Sequence, residues 1–183
     1  MNLNRILVAA ALVATSILTS CDSVEPGDGG GENELITRVT LTLTPQGGGT
    51  PVTATYADAD GDGILDPGEF TTLALRAGTT YTGAVTFASP DEDVTAEVRA
   101  EAAAHQVLFT PSSGVAGRLT ITVTDRDANN LPLGLQFTAS VSAGAEASGT
   151  LRVVLAHYEG VKQAGIPSGE ADFDGAFPVT ITP

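Results

Sequence analysis

Tryptophan is missing from this chain, cysteine and methionine occur once each, and basic residues are few. Each scarcity excludes something. One cysteine, Cys21, cannot close an internal disulfide, so an immunoglobulin-type disulfide core is impossible. With no Trp and three Tyr, the aromatic platforms that commonly grip sugars are scarce. Met1 is the only methionine, so no thioether is available to a metal or haem within the body of the protein. Eight Lys and Arg stand against 22 Asp and Glu, a formal net charge of −14. The basic residues after Arg5 are scattered, and a polyphosphate backbone would be repelled, which excludes nucleic acid as a partner. Also missing are a G-x-S-x-G elbow, an H-E-x-x-H helix, a P-loop and a cysteine free for nucleophilic work, which together argue against an enzyme.

What is present begins with "MNLNRILVAAALVATSILTSC". A basic start, an apolar core from Ile6 to Leu18 and small residues before Cys21 predict a secretory signal over residues 1–20. The core is too short to span a bilayer of ~30 Å. "LTSC" resembles the bacterial lipobox, which implies that the Cys21 thiol is acylated and that Cys21 becomes the mature N-terminus. An ordinary signal peptide with an incidental cysteine is the alternative. Acylation also accounts for the lone exported thiol, which would otherwise invite oxidation, and more than one chain gives stable membrane attachment. "DSVEPGDGGGENE" follows, rich in Gly and acids and with Val24 its single large aliphatic residue, so residues 21–34 read as an anchor and flexible tether.

From Leu35 the pattern changes to alternation. "VTLTLT", "LTITVT" and "FTASVS" set apolar residues against Thr or Ser, which places every second side chain on one buried face. "TPVTATYA", "FTTLALR", "TYTGAVTFA", "VLFT", "TLRVVLAHY" and "FPVTIT" are further strand candidates, separated by Gly-, Pro- and Asn-rich turns. Residues 35–183 are therefore expected to form one mainly β domain, an Ig-like antiparallel β-sandwich of eight or nine strands. One segment, "SPDEDVTAEVRAEAAAHQ", predicts a short helix near residues 90–106. Ser89 is its expected cap, with Glu92 closing a capping box and Val94, Val98 and Ala102 forming a packing stripe.

Two residue sets are candidates for metal. In "YADADGDGILDPGEF", Asp58, Asp60, Asp62, Gly63, Ile64, Asp66 and Glu69 fall at positions one, three, five, six, seven, nine and twelve of a calcium loop. Carboxylates at one, three, five and twelve and the Ile64 carbonyl at seven would supply oxygens to Ca2+. The competing reading is an acidic hairpin turn in which Pro67 and Gly68 divert Glu69 from the ion. The second set is His105, expected at the helix C-terminus, and His157, expected at a strand end. They form a Zn2+, Cu2+ or haem site if those two ends abut; otherwise the helix dipole alone favours His105, and His157 is a half-buried ring.

"ITRVTLTLTPQGGGTPVTATYADADGDG", "EAAAHQVLF" and "GTLRVVLAHYEG", with the lipobox, resemble a family of small uncharacterised lipoproteins of Gram-negative bacteria. The resemblance covers most of residues 35–183 and includes the D-x-D-G-D-G turn and both histidines. Some members carry the label "type 1 periplasmic binding", which names a two-lobed α/β body; the alternation here predicts a sandwich instead. The resemblance implies a protein anchored in the cell envelope by its N-terminal lipid, and of the two membranes the outer is the favoured expectation, although the sequence itself does not choose between them. Its expected role is a binding or accessory module, with a small ligand or an outer-membrane uptake receptor as partner. The alternative is a structural or adhesive surface lipoprotein with a calcium-stabilised loop.

Overall fold

The computed structural model describes residues 35–90, 92–165 and 168–183; the signal segment 1–20, Cys21 and the tether to residue 34 lie outside the described residues. Alternation decides the architecture. In β1 (Arg38–Pro45), Val39, Leu41 and Leu43 are buried while the threonines between them are partly exposed. The same period runs through β4 (Thr80–Ala88) and β7 (Gln136–Val141). These strands form the middle of a five-stranded sheet in the order β2-β1-β4-β7-β6, with β2 at Val52–Ala57 and β6 at Leu119–Val123 on the edges. The second sheet has the order β3-β9-β8-β5, from Leu73–Arg76, Glu170–Thr182, Ala147–His157 and His105–Pro111.

The two inner faces bury Phe87, Phe137, Leu151, Leu155, Phe177 and Ile181 among others, and each such side chain contributes roughly 1.5–3 kcal/mol. Gly83 lies opposite Phe137 in the register, and a β-carbon there would stand 2.2 Å from that ring. The strand "TYTGAVTFA" thus carries a glycine because a neighbouring aromatic fills its place.

The β-sandwich, its nine strands and its one short helix among the described residues are as the alternation predicts. Two details differ. β3 pairs with β9 in parallel, not antiparallel, through Leu73↔Val179 to Arg76↔Thr182. The acidic stretch folds back on β2 as a hairpin-like loop, closed by an antiparallel bridge between Tyr56 and Phe70 and by the Thr71 N–H donating to Thr55 O at 2.8 Å, before the chain passes to β3 on the edge of the other sheet.

The helix, α1, spans only Val94–Ala100, with Asp93 rather than Ser89 as its cap; the Asp93 carboxylate accepts from the Thr95 N–H at 3.1 Å. Ser89 Oγ instead accepts from the Glu92 N–H in the turn before it. Alanine favours helix, yet "AAAHQ" is not helical, because tertiary donors claim its carbonyls. The N–H of Tyr158 donates to Ala104 O, the N–H of Lys162 to Ala103 O, and Lys162 Nζ to Ala102 O, each at 2.8 Å. His105 is therefore the first residue of β5, not the last of a helix. The expected stripe survives in the shortened helix: Val94 and Val98 are buried and Ala102 packs against the core.

Candidate metal centres at one pole

Both candidate residue sets lie at the same end of the sandwich. The described chain enters there: the Thr37 N–H donates to Ala88 O at the end of β4, and the Asp58 N–H donates to Thr37 O at the start of the acidic loop. α1, the beginning of β5, the end of β8 and the beginning of β9 complete that pole.

In the acidic loop, Asp58 accepts from the Gly61 N–H (2.7 Å) and the Gly63 N–H (3.1 Å) through its two oxygens. Asp60 accepts from the Asp62 N–H at 3.3 Å, and Asp62 from the Ile64 N–H at 2.8 Å. Gly63 turns with φ 72°, a conformation a side chain would strain. Pro67–Glu69 form a single 3-10 turn, which does not divert Glu69. The Glu69 carboxylate returns across the loop to accept from the N–H groups of Ala59 at 2.7 Å and Asp66 at 3.2 Å.

One carboxylate oxygen from each of Asp58, Asp60 and Glu69 lies within 4.8 Å of the others, and the same holds for Asp60, Asp62 and Asp66. Asp58 and Glu69 are half-buried, the other three acids exposed, and the Ile64 side chain stands in solvent. The crowding has an electrostatic signature. The Asp62 N–H draws the Asp60 carboxyl down, but the charge of Asp62, desolvation and the charges of Glu69 and Asp58 outweigh it and raise its pKa. Tyr56, beneath the loop, is pushed up to about 12, by burial first and then by the charges of Glu69, Asp58, Asp62 and Asp60.

The histidines meet by strand pairing. His105 and His157 are direct partners in the β5–β8 register, with ring centroids 4.5 Å apart. A third residue joins them. The β8–β9 register slips between Leu155 and Ala156, which pair with Phe173 and Ala171, so Asp172 is the extra residue of a bulge. Its side chain is fully buried, with Oδ2 3.6 Å from His105 Nε2 and Oδ1 3.5 Å from His157 Nδ1. His105 is itself fully buried, and its Nδ1 lies 3.2 Å from the Glu101 carbonyl, to which it donates. Burial pushes the His105 pKa down, but Asp172 and then the Glu101 carbonyl push it up by more. At 3.6 Å the Asp172 contact is longer than a normal hydrogen bond.

Lys162, the one lysine of the chain, locks this corner. It is buried, and its ammonium donates to the carbonyls of Ala102, His105 and Pro132 at 2.7–2.8 Å while standing 3.4 Å from Asp127 Oδ2. Asp127 Oδ1 accepts from the N–H groups of Asn129 and Leu131, both at 2.8 Å. Burial lowers the lysine pKa, with Asp127 opposing. Beside the histidines, a surface cavity of about 570 Å³ is bordered by His157, Tyr158 and three carboxylates, Glu101, Glu159 and Glu170.

Sequence reasoning missed Asp172, Lys162 and Asp127. "FPVTIT" starts the last strand seven residues too late, because "EADFDGA" alternates through acids and glycine rather than aliphatics. The alternation of Phe173, Gly175 and Phe177 was the available signal. Nothing local marks Lys162 or Asp127.

These observations define a β-sandwich whose chemistry-bearing side chains gather at one pole. No known protein family, no curated protein and no solved structure matches the chain.

Proposed function

We propose that the chain is a lipid-anchored, extracytoplasmic binding or accessory module that takes a cationic ligand at the pole where the described chain begins. The observation that carries this reading is the cavity bordered by His157 and by Glu101, Glu159 and Glu170. A concave, carboxylate-rimmed site attracts positive charge, and the net charge of −14 adds a long-range field of the same sense. The lipobox ending in Cys21 and the acidic tether support attachment to the envelope, in the outer membrane by the resemblance described above. A receptor of an outer-membrane uptake system is the partner that resemblance implies.

Two measurements test it. Expressed in a Gram-negative host, the full chain stays with carbonate-washed membranes and the Cys21→Ser variant is released; a retained variant overturns the anchor. Calorimetric titration of the detergent-solubilised chain with Ca2+, Zn2+, Cu2+ and spermidine yields binding heat for at least one cation, weakened in a Glu101→Gln/Glu170→Gln variant. Silence with all four overturns the binding role.

A second reading has its own observation. The loop acids keep the order of a calcium site, and Glu69 closes back over Asp58 and Asp60. In that reading the protein is a structural or adhesive surface lipoprotein whose Ca2+ stiffens the crossing between sheets. Calcium heat that disappears in Asp62→Ala, with no response to the other cations, favours it over the first.

A further inference from the structure

The buried cluster behind the cavity has an electrostatic problem that its own atoms do not solve. His105 Nε2, His157 Nδ1 and both oxygens of Asp172 are buried, and none has a hydrogen-bond partner. Buried polar atoms are nearly always partnered, and leaving one unmatched costs about 1–3 kcal/mol. Four in one place, drawn from three strands, point to a shared missing partner. Its sign follows from the atoms. Because His105 Nδ1 donates to the Glu101 carbonyl, a neutral ring presents the bare lone pair of Nε2 to Asp172. A lone pair facing a carboxylate calls for positive charge between them, and a single proton on Nε2 would join only two of the four unmatched atoms, whereas a metal ion reaches all three side chains.

Geometry narrows the cation. One donor atom from each of His105, His157 and Asp172 lies within 4.8 Å of the others, and the two Asp172 oxygens each stand 3.5–3.6 Å from one ring nitrogen, Oδ1 from His157 and Oδ2 from His105. Donors bound at 2.0–2.1 Å to a tetrahedral ion stand about 3.3 Å apart, so small movements complete the set. Two imidazoles and one carboxylate suit a borderline first-row ion, whereas Ca2+ and Mg2+ prefer an all-oxygen shell.

The supporting contacts match such a centre. A ligating histidine typically donates its other ring N–H to a carbonyl, as His105 does to Glu101. The His105 backbone is pinned in turn by Lys162 Nζ on its carbonyl at 2.7 Å. His157, 13% exposed in its side chain, borders the cavity, which leaves an entry path for the ion.

We propose that His105, His157 and Asp172 form a binding site for a divalent transition ion of the Zn2+ or Cu2+ class, reached through the acidic cavity. This names the ligand class of the binding module inferred above and rests on that reading only for the route of entry. The acidic loop is a separate site of different chemistry, and its oxygens are not part of this one.

The test uses the detergent-solubilised full chain, freed of metal by chelation and titrated with Zn2+. At a hundredfold excess over Kd, zinc raises the melting temperature by roughly 5–10 °C. His157→Gln and Asp172→Asn each weaken zinc at least about tenfold, while Asp60→Asn in the loop leaves it unchanged. A large excess of Ca2+ does not displace the zinc, and Co2+ in its place gives the visible absorption of a nitrogen-ligated, low-symmetry site. His105→Ala removes a fully buried ring and can fail to fold; His157 lies on the rim, so His157→Gln carries the test. Zinc affinity unchanged in both His157→Gln and Asp172→Asn overturns the proposal, and so does zinc that Ca2+ displaces or that Asp60→Asn weakens, since either places the ion in the loop. If zinc has no effect while another cation still binds, the buried centre falls and the binding module stands.

Discussion

The acidic loop and the histidine–aspartate cluster occupy one pole of the same sandwich, yet their carboxylates are treated in opposite ways. In the loop, Asp58, Asp60, Asp62 and Glu69 all accept from the loop's own N–H groups, and water reaches most of them. In the cluster, the Asp172 side chain is wholly buried and accepts from nothing, between two ring nitrogens that are equally unpartnered. A solvated carboxylate with backbone donors loses little when no ion is bound. A buried one has no such recourse, so its surroundings must be held rigidly to keep it in place. The pattern that advertises a metal most loudly in sequence is thus the one the fold needs least.

The sharpest way to break this contrast is Lys162→Met. The substitution leaves three carbonyls without their donor and Asp127 without its counter-charge, all in a buried corner. Removing one partner of a buried ion pair costs roughly 3–5 kcal/mol. Urea unfolding should show a loss of that size together with weaker zinc binding, while the calcium response of the loop stays as it was. A Lys162→Met protein of undiminished stability would mean that the buried corner is not rigid and that the contrast fails.

A smaller effect is expected at Gly134. The segment around it stitches the sheets together, with Leu133 O accepting from the Val107 N–H of β5 and Leu135 O from the Val85 N–H of β4. Gly134 has φ 94°, and a β-carbon there would lie 2.5 Å from the Val107 carbonyl oxygen. Gly134→Ala should cost roughly 1–3 kcal/mol, read from the urea midpoint, by forcing β5 away from its neighbour. Zinc binding should weaken with it, since His105 is carried on that strand. An unchanged midpoint would show that β5 has room to move.

How far the sequence reaches differs between the two sites for the same physical reason. The sandwich was legible because burial on one sheet face leaves a period of two, as in Val39, Leu41 and Leu43. The loop was legible because its ligands are close in sequence and ordered by a short turn. The cluster was only half legible. His105 and His157 are conspicuous as the chain's two histidines, but their meeting depends on a register between strands about fifty residues apart. Asp172 reaches them only through a bulge, which no local pattern announces. The helix was overextended because "AAAHQ" has the propensity and lacks only the knowledge that Tyr158 and Lys162 take its carbonyls. Lys162 reads as one of the scattered basic residues until three carbonyls and a carboxylate converge on it.

Acid titration separates the regions by sign. Burial raises the Asp127 carboxyl, but the Leu131 N–H, the charge of Lys162 and the Asn129 N–H lower it by more, leaving it below the usual value near 3.8. A carboxyl depressed in the folded state contributes stability that is full above its unfolded pKa and is lost as pH falls through the folded one. Asp60 is shifted the other way, so its ionisation opposes folding and acid relieves it. Thermal unfolding followed down from pH 6 should therefore show an acid-side loss that Asp127→Asn flattens and Asp60→Asn does not. An acid limb unchanged by Asp127→Asn would place the loss elsewhere.

The smallest effect is expected at Asp60 itself, and its smallness is the point. Asp60 is exposed, its one partner is the Asp62 N–H, and its neighbours repel it. Without calcium, Asp60→Asn removes a like charge and keeps an oxygen that can accept the same hydrogen bond, so the melting temperature should not fall. With calcium the same substitution removes a ligand charge at position three of the loop, and the binding heat should be lost or sharply reduced. The pair of measurements separates a loop that tolerates the absence of an ion from one that requires it. A marked drop in melting temperature for metal-free Asp60→Asn would show that the loop, like the buried cluster, depends on each of its carboxylates, and the two regions would then obey one rule.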